Sequence, residues 1–101
     1  MTGYRLRARA LEDIREIAQY TEQNWGIAQR DLYLDGLFGC FGNLADNPGL
    51  GMARDDIAPG LRSLRHGRHL VVYLPAKRRV EIVRVLHVSR DVRRHVDIDE
   101  P

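Results

Sequence analysis

Tyr4, Leu6 and Ala8 alternate with Arg5, Arg7 and Arg9, the two-residue period of a strand with one buried face. From Ala10 the period changes. Ala10, Ile14, Ile17, Ala18, Thr21 and Trp25 fall on one stripe of an α-helix. Glu12, Asp13 and Glu16 stand in its first turns, where carboxylates favour the positive end of the helix dipole. Gly26 supplies the stop, being free to take a left-handed conformation. A second stripe, Ile27, Leu34, Leu37, Phe38, Phe41, Leu44 and Ala45, predicts another helix that ends at Asn47-Pro48-Gly49. So short a connection makes the two helices antiparallel neighbours, with Tyr20 and Trp25 expected to close the core of their hairpin. Gly36, Gly39 and Gly42 lie inside the second helix and are expected to point away from its apolar stripe. Each costs about 1 kcal/mol relative to alanine. Their missing side chains make Gly36 and Gly39 candidate points of close approach for a partner's backbone.

Residues 49–60, rich in glycine, read as a loop, and after it the chain becomes β. Leu61 to Arg65, Arg68 to Leu74 and Val80 to Val88 are apolar-rich runs separated by hairpin connections, which predicts an antiparallel meander. In the last run Val80, Ile82, Leu86 and Val88 are expected on one face and Val83 and Val85 on the other, so the strand is covered on both sides. Arg84 then sits among apolar neighbours and needs a carboxylate partner to offset its desolvation. Arg90 to Val96 is expected to add a short terminal helix capped by Ser89. The order predicts an α+β fold, with a short N-terminal strand and an antiparallel helical hairpin packed on an antiparallel β-sheet.

Composition narrows the class. At 101 residues, 44% hydrophobic and 30% charged, the chain is expected to form a single domain spanning 1–101. Its longest apolar run, Leu70 to Leu74, falls far short of the roughly 20 residues of a membrane-spanning helix. The N-terminal stretch interleaves arginine where a secretory leader carries an unbroken apolar core, so the expected location is the cytoplasm, with no membrane partner. Cys40 is the only cysteine, which excludes an internal disulfide and makes it a small buried hydrophobe.

The formal net charge of +2 conceals a segregation. Residues 1–60 are net acidic, residues 61–96 hold ten basic groups against two acidic ones, and the last five residues are acidic again. All but one of the cations are arginine, suited to bidentate contact with carboxylate or phosphate, so an anionic partner is expected on the basic segment. The candidates for that contact are Arg62, Arg65, Arg68, Arg84, Arg90, Arg93 and Arg94, with His87 beside them. His87 itself is expected to hold a hydrogen-bonded structural place.

Several chemistries lack their signatures. No phosphate-binding glycine loop follows a strand. His66, His69, His87 and His95 show no zinc spacing, and Asp55-Asp56 lies in a loop. No nucleophile turn marks a catalytic triad. No cofactor, metal or catalytic residue is assigned.

Particular residues, in this order, resemble the ParE branch of the RelE/ParE toxin superfamily. They are Tyr4-x-Leu6, Ala10-x-x-Asp13-Ile14-x-x-Ile17-x-x-Tyr20, Trp25-Gly26, Leu37-x-x-x-Phe41-x-x-Leu44-Ala45-x-x-Pro48-x-x-Gly51, Pro59-Gly60-Leu61-Arg62-Ser63, His69-Leu70-Val71-Val72-Tyr73 and Arg84-Val85-Leu86-His87-x-x-x-Asp91. The resemblance implies a bacterial toxin held inactive by a ParD-like antitoxin, with DNA gyrase as its target and DNA contacted only through the antitoxin. It implies no catalysis by the toxin itself. The alternatives are a RelE-type ribosome-dependent mRNA endonuclease and a non-toxic antitoxin-binding module. Against the endonuclease, His87 is followed by Val88, and residues 89–101 contain no tyrosine to serve as acid or base.

Overall fold

The structure, a computed structural model, describes residues 3–101. A strand β1 (Gly3–Leu6) leads into helices α1 (Ala8–Trp25) and α2 (Ile27–Asp46). A two-residue strand β2 (Met52–Ala53) precedes the meander β3 (Arg62–His66), β4 (His69–Pro75) and β5 (Arg79–His87), and a single turn α3 (Val92–His95) follows. The sheet order is β1-β5-β4-β3-β2. Its β2–β5 pairings are antiparallel, but β1 lies parallel to β5, Tyr4 opposite Val80 and Leu6 opposite Ile82, so the sheet is mixed where an antiparallel one was expected. β2 also falls inside the stretch expected to be loop.

Gly26 joins the helices at φ +91° and ψ 173°, an extended positive-φ conformation open essentially to glycine alone, so it ends α1 as expected but not by the left-handed helical turn. The hairpin packs on one sheet face through Ala10, Ile14, Ile17, Leu37, Phe41 and Leu44, against Val71, Tyr73, Val80, Ile82 and Val85. Ala58, Leu61 and Val92, with Val96 and Ile98 packed alongside, cover the other face over Val72, Val83 and Leu86. Burial on both faces explains the near-continuous apolar runs of β4 and β5.

The register of β4 against β5 breaks between Val72, which faces Arg84, and Tyr73, which faces Ile82. Val83 is the extra residue of a bulge, and a bulge switches the side to which later residues point. Ile82 and Val85 therefore share the helix-covered face, and Val83 and Leu86 the opposite one. The strict alternation expected for β5 is corrected by that one inserted residue.

Three other expectations change. α1 begins at Ala8, so its first turn holds no acidic residue, and Asp13 is buried on the sheet rather than serving the helix dipole. α3 is capped by Asp91, whose carboxylate accepts the Arg93 amide at 3.1 Å, and not by Ser89. Tyr20 and Trp25 do not close the hairpin core: they are 57% and 54% exposed.

Candidate functional site: a groove between the helical hairpin and the sheet

Where β1 stops opposite Ile82, the edge of β5 is left open, and α1 fills it with one carboxylate. Asp13 accepts hydrogen bonds from Arg84 Nε at 2.8 Å, Arg84 Nη2 at 2.9 Å and the Val85 amide at 2.9 Å. Arg84 Nη1 donates to the His95 carbonyl at 2.6 Å. The hydrogen bonds that Arg84 donates to Asp13 hold the guanidinium in its charged form against the desolvation that opposes it. The carboxylate partner that Arg84 needed is thus supplied by α1, which meets the guanidinium fork through Nε and Nη2.

Beside this pair a groove of about 690 Å³ opens between α1, the start of α2 and the ends of β4 and β5. Ile17, Thr21, Val85 and Leu86 contribute to its lining, with Tyr20, Trp25 and Tyr33 on the helical side. Tyr20 and Trp25 meet edge to face with ring centroids 5.8 Å apart. The Arg68 guanidinium stands 5.6 Å from the Trp25 ring, in range for a cation–π contact. α2 opens on Ile27-Ala28-Gln29-Arg30, and Ile27, Tyr20 and Trp25 are all more than half exposed, so the two aromatics stay uncovered.

The far end of the groove carries imidazoles. Register pairs His69 with His87, and their rings meet at 86° with centroids 5.7 Å apart. The Tyr33 hydroxyl lies 2.5 Å from His69 Nδ1 and 3.2 Å from the His66 carbonyl oxygen. Gly67 permits this approach: at φ +57° it forms the β3–β4 turn, and a Cβ there would sit 2.9 Å from the Tyr33 hydroxyl oxygen. His87 Nδ1 accepts the Ser89 amide at 3.1 Å, a local hydrogen bond at an exposed position. Among the described residues no three His, Cys, Asp or Glu side chains gather to hold a metal ion.

Burial pushes His69 down to about 4, with the neighbouring His87, His66 and Arg68 adding to the effect and Asp13 opposing it. Burial likewise raises Tyr33 above its ordinary value. At neutral pH this part of the cluster is therefore uncharged. The unfolded chain binds a proton at His69 below about 6.5 and the folded chain only near 4, so stability present above 6.5 is lost as the pH falls through that window. Because the ring is about half exposed, screening reduces the loss to the order of 1 kcal/mol. Thermal melts between pH 7 and 4 check this: His69→Asn must flatten the slope, and parallel curves for the two proteins would remove His69 as its source.

Of the residues singled out from sequence, Arg68, Arg84, His87 and Arg90 line this groove. The others serve elsewhere. Arg62 ties the 49–51 loop by donating to the Gly49 and Gly51 carbonyls, and Arg65 donates to the Gly67 carbonyl. Arg93 pairs with Asp56 at 2.8 Å, and Arg94 lies 3.7 Å from Asp91. Gly39 faces open space, and a Cβ on Gly36, itself exposed, would lie 3.2 Å from Nε2 of the half-buried His66. Tyr33, His69 and Asp13 were not singled out as site residues. The cross-strand pairing of His69 with His87 is a fact of register, which sequence spacing alone does not carry.

A sequence profile described as "ParE toxin of type II toxin-antitoxin system, parDE" matches residues 4–92, most of the chain. The chain belongs to the ParE toxin family. It is 38% identical over 96 residues to Toxin ParE1 of Caulobacter vibrioides, covering 95% of this chain and 99% of that one. It is 36% identical over 94 residues to Toxin ParE1 of Mycobacterium tuberculosis, covering 92% and 96%, and 36% identical over 93 residues to Toxin ParE of Escherichia coli, covering 91% and 90%. A chain from the solved structure titled "Chromosomal ParDE TA system from P. aeruginosa" shares the fold, with a TM-score of 0.74 over 88% of this chain and 98% of that one, at 16% identity. This is a ParE-type toxin of a type II toxin-antitoxin system. Among its described residues no helix is long and apolar enough to cross a membrane.

Proposed function

We propose that this ParE-family toxin works in the cytoplasm by protein contact rather than catalysis, inhibiting bacterial DNA gyrase, and that a ParD-like antitoxin neutralises it by occupying the groove. The observation that carries the reading is the pairing of exposed aromatics with free cations. Tyr20 and Trp25 stand open to solvent beside Arg68 and Arg90, which have no ion-pair partner among the described residues. Rigid aromatics and arginine are the side chains that dominate protein interfaces. Arg84 is held by Asp13 and the His95 carbonyl, and the Asp13 carboxylate offsets its charge, which supports a structural rather than a catalytic place for it.

Purified toxin added to gyrase and supercoiled plasmid is expected to accumulate cleaved DNA, and intact plasmid at saturating toxin would count decisively against the target. A Trp25→Ser/Arg68→Ser variant, altered only at exposed positions, is expected to keep its melting temperature and lose most antitoxin binding, by tenfold or more if both are anchors. The presence of His69, His87 and two free arginines in one groove favours, as a second reading, ribosome-dependent mRNA cleavage. A translation reaction with a defined message tests that reading, which falls if the message stays full length.

A further inference from the structure

The histidine end of the groove has a hydrogen-bonding property that docking alone does not use. The Tyr33 hydroxyl carries one proton and has two acceptors in reach, His69 Nδ1 at 2.5 Å and the His66 carbonyl at 3.2 Å. With His69 neutral, the hydroxyl donates to Nδ1. With His69 charged, Nδ1–H donates to the Tyr33 oxygen, and the hydroxyl turns to the carbonyl. In both protonation states the Tyr33 hydroxyl and His69 Nδ1 therefore keep a hydrogen bond, and moving between them needs only the rotation of one hydroxyl. A buried polar cluster with a single satisfied arrangement would resist the change.

What faces His69 decides when the change occurs. His66 comes from β3, His87 from β5, Tyr33 from α2 and Arg68 from the β3–β4 turn, while Asp13, Glu16, Arg84 and Arg90 complete the charged lining. Backbone bonds fix this end as a unit: the Val88 amide donates to the Arg68 carbonyl and the Arg90 amide to the His87 carbonyl, each at 2.9 Å. The carboxylates of the groove both stand on α1, and Asp13 is already engaged by Arg84. The turn end presents cations and imidazoles alone, and a docked carboxylate is the complement that such an end lacks. An opposite charge beside an imidazole favours its protonated form.

We propose that this end is an acid-receiving, proton-linked subsite: a carboxylate of the docked partner settles among Arg68, Arg90 and the His69–His87 pair, and His69 takes up one proton from solvent as it does so. The inference rests on the groove's being the docking surface and adds the partner's chemistry and its regulation by pH. The solvent proton ends on His69 Nδ1, and no covalent bond to hydrogen within the cluster breaks.

The probes are three capped helical peptides of roughly eighteen residues, long enough to hold a helix, with leucine along one face and glutamate, glutamine or lysine flanking it. Calorimetry at about pH 5.5 in buffers of different ionisation heat counts protons, and the glutamate peptide is expected to bring about one per complex. Its affinity is expected to rise by up to about tenfold per unit as the pH falls from 6.5, the slope of one linked proton. The glutamine peptide should bind more weakly without uptake, and the lysine peptide weakest of all. Tyr33→Phe, which keeps the ring against Gly67, and His69→Asn should both abolish uptake while the glutamate peptide still binds through Arg68 and Arg90. Binding of the glutamate peptide without proton uptake, or uptake that survives Tyr33→Phe, would overturn the inference and leave groove docking standing. Failure of all three peptides to bind would remove the docking surface and this inference with it.

Discussion

Replacing Asp13 with alanine is expected to cost about 3–5 kcal/mol of folding stability, the range for breaking a buried ion pair from one side. The side chains of Arg84 and Asp13 are only 13% and 10% exposed, so water does not replace what is lost. One substitution strands two donors of the Arg84 guanidinium and also the Val85 amide, which sits where β1 no longer extends the sheet. Against a total of about 5–15 kcal/mol for a domain of this size, the loss is a large fraction. Urea unfolding at neutral pH measures it. An Asp13→Ala/Arg84→Met double variant is expected to recover much of the deficit, because the penalty belongs to the orphaned charge more than to the missing attraction. A single variant within 1 kcal/mol of the parent would refute the account.

The second large effect is expected at Gly51. A Cβ there would lie 2.6 Å from the Tyr73 hydroxyl oxygen and 2.7 Å from the Ser63 carbonyl oxygen, closer than real Cβ atoms stand. The neighbours cannot yield. Tyr73 is fully buried, accepts the Gly51 amide at 2.8 Å and donates to the Pro48 carbonyl at 2.8 Å, while Arg62 Nη2 grips the Gly51 carbonyl at 2.6 Å. Gly51→Ala is therefore expected to destabilise by about 3 kcal/mol, at the upper end for overpacking. Gly39→Ala is the matched contrast. It adds a methyl to open space within a helix and is expected to stabilise by up to about 1 kcal/mol. Melting curves of both variants decide the matter, and equal effects would show that the clash at Gly51 relaxes.

The same two sites mark how far the sequence could be read. Arg84 among apolar neighbours announced that a carboxylate had to exist, because a buried guanidinium without one is prohibitively costly. Which carboxylate was not legible: Asp13 stands near a helix start and reads as serving the dipole until β1 is seen to stop one residue short of Val83. Trp25 completes the α1 stripe by spacing, yet it overhangs the groove, because periodicity records which way a side chain points and not whether another element meets it. In β5 a single inserted residue at Val83 overturned the face assignment of everything after it, since a period of two has no tolerance for a bulge. Of the basic segment, Arg68 and Arg90 remained open in the groove while Arg62 and Arg93 were taken up in holding loops, a division that charge counting does not see.

Local pattern by itself determined the order of strand, helical hairpin and meander, the stop at Gly26 and the burial of both faces of β5. Those features follow from residue spacing along a single element, where 3.6- and 2-residue periods translate directly into faces. The tertiary structure alone decided the parallel docking of β1 on β5, the Asp13–Arg84 closure of the open edge and the meeting of Tyr33, His69 and His87 at the end of the groove. Each of these joins residues far apart in the chain through strand register and helix placement, and their chemistry exists only once the partners are within hydrogen-bond reach.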